Sequence, residues 1–375
     1  MLTFRPPGGA MPEIAASSTE SEDAAPPASA ARAATAEFGP PTVGSLRSRE
    51  ALAMGLGAVA FVVAALVSVP ALHLQPVPIA GRGSLGQFVA LASAIVAMAS
   101  FVLGRFVLRD RSRRVGVLDL VDVLAIAIAL GVIALLTWAL LANLLSRAFI
   151  GAEVFAIPSL LLAGVTAALT AYAAFLVGTE LDLQLLAFIL AMFLVEGVLA
   201  AMLTSADKGW WKENLSALGM TDDVSALAFN STLIIAGVIV TTLSRHATHD
   251  IETSSRAAAR WVRGLLITVG VFLACVGIFP VDRFFAVHNT VATGMAVAYC
   301  VLVVGLRFWI PGLQRAFIYL GWVFLAVVVV LGVFFAIGYY TLTAVELVAA
   351  MLIFSWIILF LRNISALQKD TRAAA

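Results

Sequence analysis

A carboxylate stands inside an apolar run at Glu196, within FILAMFLVEGVLAAML. In hydrocarbon an acid costs roughly 2.5–3.5 kcal/mol on insertion scales, so its presence there is a functional hypothesis by default. Counting from Leu203, where the run ends, Glu196 lies about 10 Å inside the boundary at 1.5 Å per residue. Gly197 and Ala201 follow at small-xxx-small spacing, which lets a second helix approach closely beside it. A proton or ligand site is one reading of this residue. A neutral carboxyl hydrogen-bonded between helices is the other, with equal standing on the sequence.

Further polar residues fall at similar depth. Asn230, followed by Ser231 and Thr232, sits early in a later apolar run, and His288 and Asn289 open another, just after Asp282 and Arg283. Glu346 lies one turn into the last run. Polar groups on several helices at one depth are stabilised when they share water or each other. The expectation is therefore one cavity in the outer half of a membrane, formed by Glu196, Asn230, His288, Asn289, Glu346 and Asp282. The loop carrying Trp210 and Trp211, with Lys208, Lys212 and Glu213 beside them, is its candidate lid. Paired tryptophans at a headgroup boundary are more often belt anchors, and that reading outranks the lid. Ser216, Gly219 and Thr221 indicate that this loop turns.

Catalytic and cofactor templates are missing: there is no G-x-S-x-G, P-loop, H-E-x-x-H or haem motif, and no cofactor is expected. His73, His288, Asp282 and Glu196 come from four separate segments, and the i, i+3 pair His246 and His249 has no further ligands nearby, so no metal site is expected. Cys275 and Cys300 both lie in apolar runs with no metal or redox spacing. On the other side, Asp119 and Asp122 share a helix face beside RFVLRDRSRR and are candidates to pair with it. Arg256, Arg260 and Arg263 mark one face of a helix continuing beyond the membrane.

The elements that must position these residues follow from composition. Apolar residues make up 62% of the 375 and charged residues 12%, with mean hydropathy +1.04. Soluble domains carry about 25% charge, so runs of this kind belong in lipid. Ten segments are long enough to cross it, near 52–70, 86–107, 118–143, 154–177, 183–203, 225–243, 264–279, 288–308, 314–338 and 341–361. The fold class is an all-α polytopic membrane bundle of about ten transmembrane helices. With the N-terminus inside, 18 of the 23 Lys and Arg fall on cytoplasmic segments, leaving Arg82, Arg147, Lys208, Lys212 and Arg283 outside. Both termini are then cytoplasmic. A net charge of +1 excludes a nucleic-acid surface. Residues 1–50, rich in Pro, Ala, Ser and Glu, read as a disordered tail. Residues 51–180 form a four-helix module, 181–362 a six-helix domain and 363–375 a cytoplasmic tail.

The stretches WWKENLSALG…ALAFNSTLIIAG (Trp210 to Gly237) and GIFPVDRFFAVHNTVATGMA (Gly277 to Ala296) resemble the bacterial membrane family called domain of unknown function 998. The resemblance covers residues 183 to 361. That family is similar to DRAM-like six-helix membrane proteins, which implies a six-helix fold in a bacterial cytoplasmic membrane and no particular reaction. Three functions stay open. A lipid- or amphiphile-handling protein, with membrane lipids as partners, accounts for the outer polar residues and the tryptophan loop. A proton-coupled transporter accounts for Glu196 and Glu346, and a membrane hydrolase for His288.

Overall fold

The computed structural model describes residues 46–107, 116–220, 223–247 and 255–374. Most of the expected N-terminal tail, Arg109 to Arg114, Thr221 and His249 lie outside the described residues. Ten α-helices follow one another: α1 (Leu46–Leu72), α2 (Leu85–Val107), α3 (Val117–Ala148), α4 (Ala156–Thr179), α5 (Leu183–Thr204), α6 (Val224–Ala247), α7 (Arg256–Ile278), α8 (Phe285–Trp309), α9 (Arg315–Ala336) and α10 (Leu342–Ala374). All ten are long and apolar enough to cross a membrane, and the protein is an all-α polytopic bundle. The one sheet among the described residues pairs Val77 with Val154 and Pro78 with Glu153, clipping the α1–α2 loop to the α3–α4 loop.

Helix ends are set by local chemistry. Asp182 caps α5, its side chain accepting from the Leu185 amide at 2.9 Å, and Ser255 caps α7 by accepting from Ala258 at 3.1 Å. Asp223 does the same for α6, accepting from Ala226 at 3.0 Å. Pro280 follows the end of α7, which leaves the Phe279 carbonyl free of the helix ladder. Three helices outrun their apolar segments. α3 continues to Ala148 and α10 to Ala374, and α7 begins at Arg256, so its arginine face is helical as its spacing indicates. The segment 363–375, expected as a tail, is thus the helical end of α10 as far as residue 374, with Lys369 bonded to Asp182 at 3.2 Å and to Gln184 at 3.2 Å.

α1 and α2 pack on α4, and α3 on α2; in the second half α6 lies between α5 and α7, α8 follows α7, and α10 joins α5 to α9. α3 also crosses over to α5 and α6. In lipid no hydrophobic force draws helices together, so close backbone approach has to do it. Gly237 and Gly270 supply that between α6 and α7: a Cβ on Gly270 would lie 2.7 Å from the Gly237 carbonyl oxygen. α9 is the least covered helix and presents Val323, Val329, Val330 and Val333 outward, as a lipid-facing wall does. Inside, Phe317, Trp356 and Phe360 stack, and Tyr299 meets Trp356 edge-on at 5.3 Å.

Candidate functional site

The segment between α5 and α6 is two short 3₁₀ turns, Trp210–Lys212 and Leu215–Gly219. Side chains from three helices fasten the second turn. Glu346, near the start of α10, accepts from the Leu215 amide at 2.6 Å. His288, in the first turn of α8, places Nε2 3.1 Å from the Ser216 hydroxyl. Asn230 on α6 donates to the Gly219 carbonyl at 3.0 Å. Each satisfies a polar group that a turn leaves open, in a setting where an unpaired one is costly.

The His288 ring is fixed at both nitrogens. Its Nδ1 lies 2.8 Å from the Phe279 carbonyl, the oxygen left free where α7 stops. A carbonyl cannot donate, so Nδ1 carries the hydrogen. In the neutral ring Nε2 is then the acceptor, and Ser216 donates to it. His288 itself is buried, while Ser216 is half-buried. Asn214, two positions earlier, has a buried side-chain oxygen without a partner.

The two tryptophans split their work. Trp210 packs against the main apolar core, whereas Trp211 is 52% exposed with the Lys212 ammonium 5.6 Å from its ring centre. Trp210 holds the loop to the bundle and Trp211 points away from it. Asn289 is exposed and bonds back to Phe285 on its own helix. Asp282 is exposed in the α7–α8 loop, paired with Arg283 at 3.7 Å. Neither is drawn into the group around Leu215–Gly219.

Glu196 is buried, at 7% exposure, and takes its hydrogen bond from a different direction. Thr137 of α3 donates to its Oε1 at 2.9 Å, and its Oε2 is buried with no partner. Gly197 faces α6 at Thr232, so close that a Cβ would collide with that side chain. A second buried acid repeats the pattern further along α3: Asp122 accepts from Thr242 of α6 at 2.7 Å. The hydrogen bonds therefore divide the expected cavity residues. Asn230, His288 and Glu346 converge on one turn, and Glu196 joins α3 instead.

Sequence reasoning missed Thr137, Thr242, Ser216 and the buried Tyr299–Trp356 pair. The last had a signal, since Tyr and Trp far from the helix ends are out of place in a membrane helix, whose aromatics gather at the interfaces. Among the described residues no group of three or more His, Cys, Asp or Glu is placed to hold a metal. A separate cleft of about 400 Å³ opens between α2 and α3, lined by Arg82, Gln87 and Asn143 among apolar residues.

No curated protein and no solved structure matches the chain. The family model described as protein of unknown function (DUF998) matches residues 185–363, from the first turn of α5 into α10, and this part of the chain belongs to that family.

Proposed function

We propose that the six-helix half binds a membrane amphiphile beneath the tryptophan loop, at the outer face of a bacterial cytoplasmic membrane. The observation that carries this reading is the fastening of one loop turn by Asn230, His288 and Glu346 from three helices. A topological loop needs no such anchoring. A cap over the bundle end does, because its backbone must stay paired while apolar chains pass beside it. Trp211 and Lys212 at the exposed rim suit the headgroup layer. The charge bias of the loops supports the outer placement.

A photoactivatable phospholipid, cross-linked to the protein in vesicles and mapped by mass spectrometry, tests this. Adducts should concentrate in 210–219 and the adjoining first turns of α6, α8 and α10. Adducts spread evenly over the lipid wall of α9 would defeat the reading. A second reading, proton-coupled transport, has one observation behind it: the unpartnered Oε2 of Glu196. It requires that Glu196→Gln abolish proton uptake in proteoliposomes.

A further inference from the structure

We infer that Ser216 and His288 form a nucleophile–base pair for acyl transfer, acting on a carboxylic ester of an amphiphile. The substrate class rests on the amphiphile reading above; the pair itself does not. A serine hydroxyl is a weak nucleophile until a positioned base can take its proton, and the base must be held in one tautomer by a third group. All three parts are present. Ser216 Oγ lies 3.1 Å from His288 Nε2, within the reach a general base needs. The Phe279 carbonyl, 2.8 Å from Nδ1, forces the tautomer whose free lone pair faces Ser216. It also stabilises the ring when it becomes cationic, the part an acid plays in a serine triad.

The surroundings fit that chemistry better than a purely structural hydrogen bond does. Leu215 and Gly219 are held by Glu346 and Asn230, so the turn keeps two fastenings while the Ser216 hydroxyl is engaged in chemistry. Ser216 is half-buried on a turn at the bundle end, where an ester linkage lies when its chains are in the membrane.

In the forward step Ser216 Oγ bonds to the ester carbonyl carbon and its proton passes to Nε2. The carbon–alkoxy bond breaks, and the same proton leaves with the alcohol. Water then attacks the Ser216 ester, giving its proton to Nε2, and the acid departs as the serine is restored. No oxidant, metal or cofactor enters the balance.

The test uses the full chain in detergent micelles, with p-nitrophenyl octanoate as substrate and an alkyl fluorophosphonate as covalent probe. Wild type should hydrolyse the ester and carry the probe on Ser216 by peptide mass spectrometry. Ser216→Ala should lose both, and His288→Gln should lower turnover at least about 100-fold. His288→Gln also loosens the loop, so Glu346→Gln serves as the control that loosens it while leaving the pair intact. Turnover unaffected by Ser216→Ala, or a wild type that neither reacts with the probe nor hydrolyses the ester, overturns the inference. Lipid cross-linking at 210–219 without probe labelling sinks only the catalytic pair. Labelling without cross-link enrichment sinks only the amphiphile reading.

Discussion

Two carboxylates, both near the same end of neighbouring membrane helices, have opposite roles in this protein. Glu346 reaches along the end of the bundle and accepts from a loop amide, Leu215, at 2.6 Å. Glu196 turns sideways and accepts from Thr137 of α3, at 2.9 Å, with its other oxygen sealed and unpartnered. The first ties down a surface turn. The second joins α3, which precedes the family-matched residues, to α5 within them, as Asp122 joins α3 to α6 through Thr242 at 2.7 Å. The two contacts on α3 are fifteen residues apart, about 22 Å along the axis and roughly 60° from one helix face. α3 is therefore pinned at two levels to helices of the family-matched stretch. Depth in the membrane alone does not determine what a buried acid does; the direction in which its helix faces decides between cap and seam.

The strongest way to break this contrast is at the seam. Thr137→Val keeps shape and removes the donor, leaving both oxygens of Glu196 buried without partners. That should cost about 1–3 kcal/mol. Thr242→Val should cost less, since Asp122 has a further interaction of its own. The sites are far enough apart to act independently, so the double variant should lose close to the sum. Equilibrium unfolding in mixed micelles reads all three. A double variant as stable as wild type would mean that α3 is held by apolar packing alone.

How much of this was readable beforehand depends on which direction of space is asked about. Distance along the membrane normal is written in the chain, because an apolar run must match a hydrocarbon thickness of about 30 Å. All ten helices long and apolar enough to span follow from that. Helix ends beyond the lipid were less legible. α10 runs on to Ala374 through polar residues, secured by Lys369 to Asp182 on another element. Direction around the helix axis was not legible for Glu196. In a run that is apolar on every side there is no polar face to orient it, and its partner Thr137 lies 59 residues away. Gly197 signalled that some helix comes close; its contact with Thr232 shows that this helix is α6 while the acid beside it faces α3. The pairing of Ser216 with His288, 72 residues apart, needed the fold for the same reason.

A smaller effect should come from the cap. Glu346→Leu leaves the Leu215 amide without its acceptor, but that amide is only part-buried, so global stability should fall by about 0.5–1.5 kcal/mol. The local effect should be larger than the global one. Hydrogen exchange at 210–219 should rise several-fold while exchange within α3 and α6 stays as in wild type. Equal loss of protection across the bundle would show that the cap is part of the core, and the distinction between cap and seam would fail. Glu346→Gln retains an acceptor and should fall between wild type and Leu.

The smallest effect should be that of Trp211→Ala compared with Trp210→Ala. Trp210 contacts the main core and Trp211 stands 52% exposed beside Lys212. Truncating Trp210 removes apolar area from the seat of the loop and should raise exchange at 210–219 much as Glu346→Leu does. Truncating Trp211 removes a ring that stands largely outside the bundle, so stability in detergent should stay within about 0.5 kcal/mol of wild type. What should change is the loop's relation to lipid. Quenching of the remaining loop tryptophan by shallow brominated phospholipid should weaken in vesicles, because the interfacial anchor is gone. If Trp211→Ala instead destabilises the protein in detergent as much as Trp210→Ala does, the outward ring is structural. The rim assigned here to the headgroup layer would then belong to the folded cap itself.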